Sequence, residues 1–152
     1  MRVIGLTGAA MLSLLLGVVP PAFAGDTSVS LQIQAPTRQQ VWMQRRAKTW
    51  NSDHRTWVQR GGYQGYRIPD DQFTLKFGTD HAFRINSLPY RMVNNEPNFQ
   101  YNGYWMTVVD PWPETWKDDW YDSDDVYVRY DNGYYLYNRN YPDVALSLRF
   151  SN

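Results

Sequence analysis

Hydrophobic and polar positions repeat along this chain with several distinct periods, and each predicts its own kind of element. Ile4 to Val19 is an apolar run without a charge. Ser28 to Gln34 alternates Val29, Leu31 and Ile33 with polar neighbours, the period of a half-buried strand. Thr37-Arg38-Gln39-Gln40 has the spacing of a capping box. After it, Met43, Ala47, Trp50, His54 and Trp57 recur at spacings of 4, 3, 4 and 3. That stripe predicts one long amphipathic helix, flanked by Trp42 and Val58 and closed by Gly61-Gly62. Its stripe makes Trp50 and Trp57 core anchors and leaves Arg46 on a solvated face.

Pro69-Asp70-Asp71 opens a short helix in which Phe73 and Phe77 share a face and Gly78 ends it. Beyond this the period becomes two. Phe83 and Ile85 share a face in a short strand. Asn102-Gly103 sits between Phe99-Gln100-Tyr101 and Tyr104 to Val109, and Asp131-Asn132-Gly133 sits between Val126 to Tyr130 and Tyr134 to Asn138. Asn-Gly readily takes the two positive φ values of a type I′ turn, so both read as hairpins. A last strand carries Val144, Leu146, Leu148 and Phe150 in clean alternation. The expected fold is α+β: an antiparallel sheet of about five to seven strands with the long amphipathic helix on one face and a short helix beside it.

Composition changes the picture at the amino terminus. Arg2, the apolar run, Pro20-Pro21 and the small-x-small Ala22-Phe23-Ala24 together predict a signal peptide over 1–24. The mature chain then starts at Gly25 as one domain of 128 residues, 25–152, in the periplasm or outside the cell, with no membrane span after cleavage. No Cys follows the cleavage site for lipid attachment, and none is present for disulfides. All seven Trp and twelve Tyr lie beyond residue 24, so aromatic rings must supply much of the core.

Arg2 leaves with the leader, so the mature chain carries 14 basic residues against 15 acids and a net charge of −1. That balance argues against nucleic acid as a partner. The charge is unevenly spread. Arg38 to Arg60 holds six basic residues and one acid, whereas Asp110 to Asp125 holds seven acids and one base. The two segments either face each other, stay solvated, or recruit a charged partner.

The candidate chemistry concentrates in DPWPETWKDDWYDSDD, residues 110–125. Trp112, Trp116 and Trp120, spaced by 4 and 4, would form a sugar-stacking ladder if exposed, with Asp118 and Asp119 accepting from hydroxyls. The acids also invite comparison with calcium, which takes about six to eight oxygens, but the spacing is not that of an EF-hand and its glycine is absent. A carboxylate pair for glycoside hydrolysis is satisfied only weakly by an acidic loop. Otherwise the segment is a proline-stiffened loop whose Trp rings plug the core. His54 and His81 stand 27 residues apart, without metal-ligand spacing, and no nucleophile elbow is present. No cofactor, metal or catalytic residue is expected.

The segments YRIPDD (66–71), YNGYW (101–105), DPWPETW (110–116) and DDVYVRYDNGYYLYNR (124–139) resemble a family of small exported bacterial proteins without an assigned activity. The resemblance spans roughly Gly61 to Ser147 and implies a single exported domain, with no catalytic residue to carry over. The last hairpin and strand are also similar to the end of a periplasmic nickel/cobalt-homeostasis family, without the His enrichment of a nickel-handling surface. The reading is therefore a non-enzymatic binding or structural module of the bacterial envelope. A carbohydrate- or peptidoglycan-binding module using the aromatic and acidic loop, its partner a glycan or other envelope component, is the alternative, and a hydrolase the third.

Overall fold

Six antiparallel strands in the order β1-β2-β3-β6-β5-β4 organise the chain. The computed structural model describes residues 34–152; the leader, the start at Gly25 and, but for Gln34, the strand expected over 28–34 lie outside the described residues. The strands are β1 (Tyr90–Val93), β2 (Glu96–Tyr101), β3 (Tyr104–Val108), β4 (Val126–Tyr130), β5 (Tyr134–Asn138) and β6 (Tyr141–Ser151). The α+β expectation holds at this level.

Both hairpins read from the sequence are present. Asn102 and Gly103 sit at φ 51° and 88° between β2 and β3, and Asn132 at φ 49° turns β4 into β5. Gly133 is required for a second reason: a Cβ there would lie 2.1 Å from the Trp57 ring. The β1–β2 hairpin turns on Asn94 and Asn95, at φ 50° and 62°, and was not anticipated because its first strand has a weak alternation. Phe83 forms only a single bridge, with two 2.8 Å hydrogen bonds to Val126, and Ile85–Ser87 is a 3-10 turn rather than strand. Both apolar side chains are nevertheless buried.

The eleven-residue β6 joins the two halves of the sheet. Its first part pairs with β5 and its end with β3, Leu148 lying opposite both Tyr134 and Val108. One face therefore carries Phe99, Met106 and Phe150 in a cross-strand row, with Leu136 and Leu146 on the same side, and these are the core. The opposite face carries Tyr135, Tyr137, Ala145 and Ser147.

The long helix is replaced by two short ones, α1 (Arg38–Gln44) and α2 (Trp50–Asp53). The capping box forms as expected: Thr37 Oγ1 accepts from Gln40 N–H at 3.3 Å, and Gln40 Oε1 accepts from Thr37 N–H at 2.9 Å. After Arg45 the chain leaves the helix because other partners satisfy its backbone. Ala47 N–H donates to the Trp112 carbonyl (2.7 Å) and Trp112 N–H to the Arg45 carbonyl (2.9 Å). Asp53 accepts from Lys48 and Thr49 N–H, contacts that also hold its carboxyl below the usual range. Thr49, Asn51, Ser52 and Asp53 are poor helix-interior residues that favour such local bonds. The apolar stripe is correspondingly broken: Trp57 is buried, Trp50 half-buried, and Met43 44% exposed.

The expected short helix is α3 (Asp70–Lys76), with Phe73 and Phe77 stacked at 5.2 Å. The last helix, α4 (Trp120–Ser123), belongs to the acidic segment. Trp42 of α1 lies stacked 5.3 Å from Phe99 and edge-on 5.0 Å from Trp120, so helices and sheet share one aromatic core.

Tyr63 makes that core sensitive to alkali. Its hydroxyl accepts from Phe150 N–H and donates to the Tyr66 carbonyl, both at 3.0 Å. Burial pushes its pKa up to about 12, whereas an unfolded Tyr ionises near ~10. The folded protein thus keeps its proton where the unfolded chain loses it. The contribution is intact below about pH 10 and lost as pH rises through the folded value. Urea melts at pH 9 and pH 11.5 should show this fall, and Tyr63→Phe should make it shallower while costing about 1 kcal/mol at pH 9.

Candidate functional site

The acidic, Trp-rich segment is part of the core. Trp112, Trp116 and Trp120 are 0%, 2% and 0% exposed. Their rings are not coplanar: Trp112 and Trp120 meet at 55° and Trp116 and Trp120 at 72°. The exposed ladder considered from the sequence is therefore replaced by a box of tilted rings around Trp120. The spacing of four was that of inward-facing turns. Trp112 Nε1 donates to the Trp42 carbonyl, while Nε1 of Trp116 and of Trp120 are buried without a partner.

The acids of this segment are mostly engaged with the protein. Asp118 pairs with Arg46 at 3.0 Å. The Asp119 carbonyl accepts from Asp122 and Ser123 N–H at the start of α4, and its side chain stays exposed. Asp122 accepts from Asn86, buried Asp124 from Asn138 and Ser123, and Asp125 pairs with Arg84. Among the described residues no group of three or more His, Asp or Glu side chains is gathered to hold a metal. Millimolar Ca²⁺ should accordingly shift Tm no more than sodium chloride of equal ionic strength. A calcium-specific rise of several degrees, lost in Asp122→Asn/Asp124→Asn, would contradict this.

The basic and acidic segments face each other. Beyond the Arg46–Asp118 pair, Arg46 donates to the Glu114 carbonyl (2.8 Å) and lies 5.1 Å over the Trp112 ring. It stays exposed, as expected of a solvated face, and also clamps the Trp segment. Arg45 Nη2 donates to the Val108 and Val109 carbonyls at 2.6 and 3.2 Å, and burial lowers its pKa below the usual arginine value. Trp50 N–H donates to Glu114 Oε2 at 2.9 Å.

Asp110 anchors this interface and is 1% exposed. One oxygen accepts from Arg60 and from Arg55 N–H, and the other from Ser147 N–H at 2.8 Å. The Ser147 hydroxyl in turn donates to the Arg55 carbonyl at 2.9 Å. These bonds hang residues 50–57 over the outer face of β5 and β6.

Between that strap and the sheet lies a cleft of about 240 Å³. Tyr135, Tyr137 and the small Ala145 and Ser147 form its floor, and Trp50 lines its wall. Trp50 lies stacked on His54 at 4.1 Å, and His54 Nδ1 is 2.7 Å from the Trp50 carbonyl. The Tyr135 hydroxyl accepts from Trp57 N–H, and burial raises its pKa. Asp131 and Asp143 line the cleft as exposed carboxylates. The cleft is smaller than most ligand pockets, which run about 300–1,000 Å³, and offers ring faces with polar groups around them.

Of the residues of this site, the sequence marks Trp50 and His54 on the apolar stripe, Asp110 in the acidic segment, Asp131 in a turn and Val144 in the last strand, none of them as part of a cleft. Tyr135 and Tyr137 were visible as the polar-side phase of the β5 alternation, a signal that tyrosines on a solvent phase can supply.

No family model, no curated protein and no solved structure matches the chain. Among the described residues, no helix is long and apolar enough to cross a membrane.

Proposed function

We propose that this protein is a non-enzymatic binding module of the bacterial envelope, exported by residues 1–24, that holds a saccharide unit in the cleft between the 50–57 strap and strands β5 and β6. The observation that carries the reading is the cleft's construction: a Tyr135/Tyr137 floor and a Trp50 wall, with carboxylates beside them. Ring faces stack on the C–H faces of a pyranose, and carboxylates accept from its hydroxyls. The volume suits one sugar ring rather than a larger ligand.

Two further observations support binding over catalysis. The buried carboxylate under the floor, Asp110, has both oxygens occupied by Arg60 and backbone N–H groups. His54 Nδ1 lies against the Trp50 carbonyl, which holds the ring in its stack. Asp110 and His54 Nδ1 are thus tied into structural bonds, whereas general acid–base work needs a group free to exchange a proton with substrate; the exposed Asp131 and Asp143 are left to accept from ligand hydroxyls.

The test is titration with glucosamine and N-acetylglucosamine oligomers, read by intrinsic Trp fluorescence. Saturable binding is expected, weakened about tenfold in Trp50→Ala, the equivalent of ~1.4 kcal/mol. Ala145→Phe, which fills the floor, should abolish it. No binding by either oligomer, or binding unchanged in Ala145→Phe, would refute the cleft as a saccharide site.

A further inference from the structure

The hydrogen-bonding groups of the cleft define its ligand more narrowly than its ring faces do. Its charges balance: the exposed Asp131 and Asp143 are matched by two guanidiniums, that of Arg55 in the lining and that of Arg129, which lies opposite Tyr135 on β4 and 5.5 Å from the Tyr137 centroid. Beneath them Asp110 is paired with Arg60. A neutral ligand suits such a site, so selectivity falls to groups that can only donate or only accept.

His54 is one of these. The Trp50 carbonyl takes two hydrogen bonds from it, from backbone N–H at 3.1 Å and from ring Nδ1 at 2.7 Å. A carbonyl only accepts, so Nδ1 carries the proton, and in the neutral ring Nε2 is a bare acceptor. Parallel stacking on Trp50, at 4.1 Å and 8°, keeps the ring from turning over. Nε2 has no partner among the described residues. Tyr135 has the opposite polarity. Its oxygen already accepts from Trp57 N–H at 2.8 Å, and its hydroxyl proton has no acceptor among the described residues. Burial raises its pKa, which keeps that proton in place. The backbone of one strap therefore sets both groups, Trp50 fixing the acceptor and Trp57 the donor, and both line the same small cleft.

A secondary amide is the neutral group that matches them, with an N–H that only donates and a C=O that only accepts. The two point in opposite directions across the amide, so their partners stand on either side of it, one at the Trp50 wall and one on the floor. We propose that the saccharide held in this cleft is N-acetylated, its acetamido N–H donating to His54 Nε2 and its acetamido carbonyl accepting from the Tyr135 hydroxyl. The inference rests on the cleft being a saccharide site and names the sugar it takes.

The test compares two neutral probes by calorimetric titration at pH 8: a β-1,4-linked N-acetylglucosamine tetramer and the β-1,4-linked glucose tetramer, which has hydroxyls where the first has acetamido groups. The acetylated tetramer should bind about tenfold more tightly, the worth of one or two hydrogen bonds. His54→Phe, which keeps a ring to stack on Trp50 but has no acceptor, should remove that preference. A second measurement needs no variant, because the ¹⁵N shifts of an imidazole tell its protonated nitrogen from its bare one. Nε2 of His54 should be bare in the protein alone, and its signal should move with the acetylated tetramer and not with the glucose tetramer. A proton on Nε2, equal binding of the two tetramers, or a preference unchanged in His54→Phe would overturn the acetamido contact and leave the saccharide reading standing. Binding of neither tetramer would overturn both.

Discussion

Trp120→Ala should lower folding stability by roughly 3–5 kcal/mol, the range for truncating a large buried aromatic. Trp120 is fully buried, and four rings, those of Trp42, Trp112, Trp116 and Tyr121, lie within 6.4 Å of its centroid. Its loss leaves a void that the neighbouring rings cannot close, because Trp112 is pinned through Nε1 to the Trp42 carbonyl and Trp42 is stacked on Phe99. The unpartnered Nε1 of Trp120 returns a little, since the substitution removes a buried donor that makes no bond. Urea melts measure the loss. Trp50→Ala is the contrast: the half-buried ring lines the cleft, so its removal should cost far less stability than Trp120→Ala. Equal losses for the two would show that the Trp box is not the packing centre.

Asp110→Ala is expected to cost about 3–5 kcal/mol, the range for removing one partner of a buried ion pair. The carboxylate is the meeting point of three segments, accepting from Arg60, Arg55 N–H and Ser147 N–H. Removing it strands the two backbone donors, one of them on the central strand β6. Asp110→Asn keeps the shape and one acceptor, and should recover part of the loss. The cleft gives an independent readout: with its strap released from β6, Asp110→Ala should lose ligand binding even under conditions where it is folded. Melts that place Asp110→Ala within 1 kcal/mol of the unsubstituted protein would show that the strap is held by other contacts.

The sequence and the structure agree most closely where the determinants are local. The capping box at Thr37 and Gln40, the Asn102-Gly103 turn, the Asp131-Asn132-Gly133 turn and the alternation ending at Phe150 are each decided by residues a few positions apart. Their physics is that of a hydrogen bond across one helical turn, a positive φ, or a two-residue pleat, so the elements could be placed without knowing what they pack against. The sequence by itself thus determined the α3 helix, both hairpins read from it, the last strand and an aromatic core.

What depends on partners distant in the chain was decided by tertiary structure alone. The stripe from Met43 to Trp57 has helical spacing, yet Trp112 takes the backbone bonds of Arg45 and Ala47, and Asp53 takes those of Lys48 and Thr49. A spacing cannot reveal that competition. The same holds for Trp112, Trp116 and Trp120: four-residue intervals suit an exposed ladder or a buried box equally, and only the fit against Trp42 and Tyr121 turns the rings inward. The cleft itself has no sequence signature, because its floor comes from the outward phase of β5 and β6 and its wall from a strap some eighty residues earlier. Asp110 ties the two together through bonds spanning 37 to 55 residues, and a constellation of that separation exists only once the chain has folded.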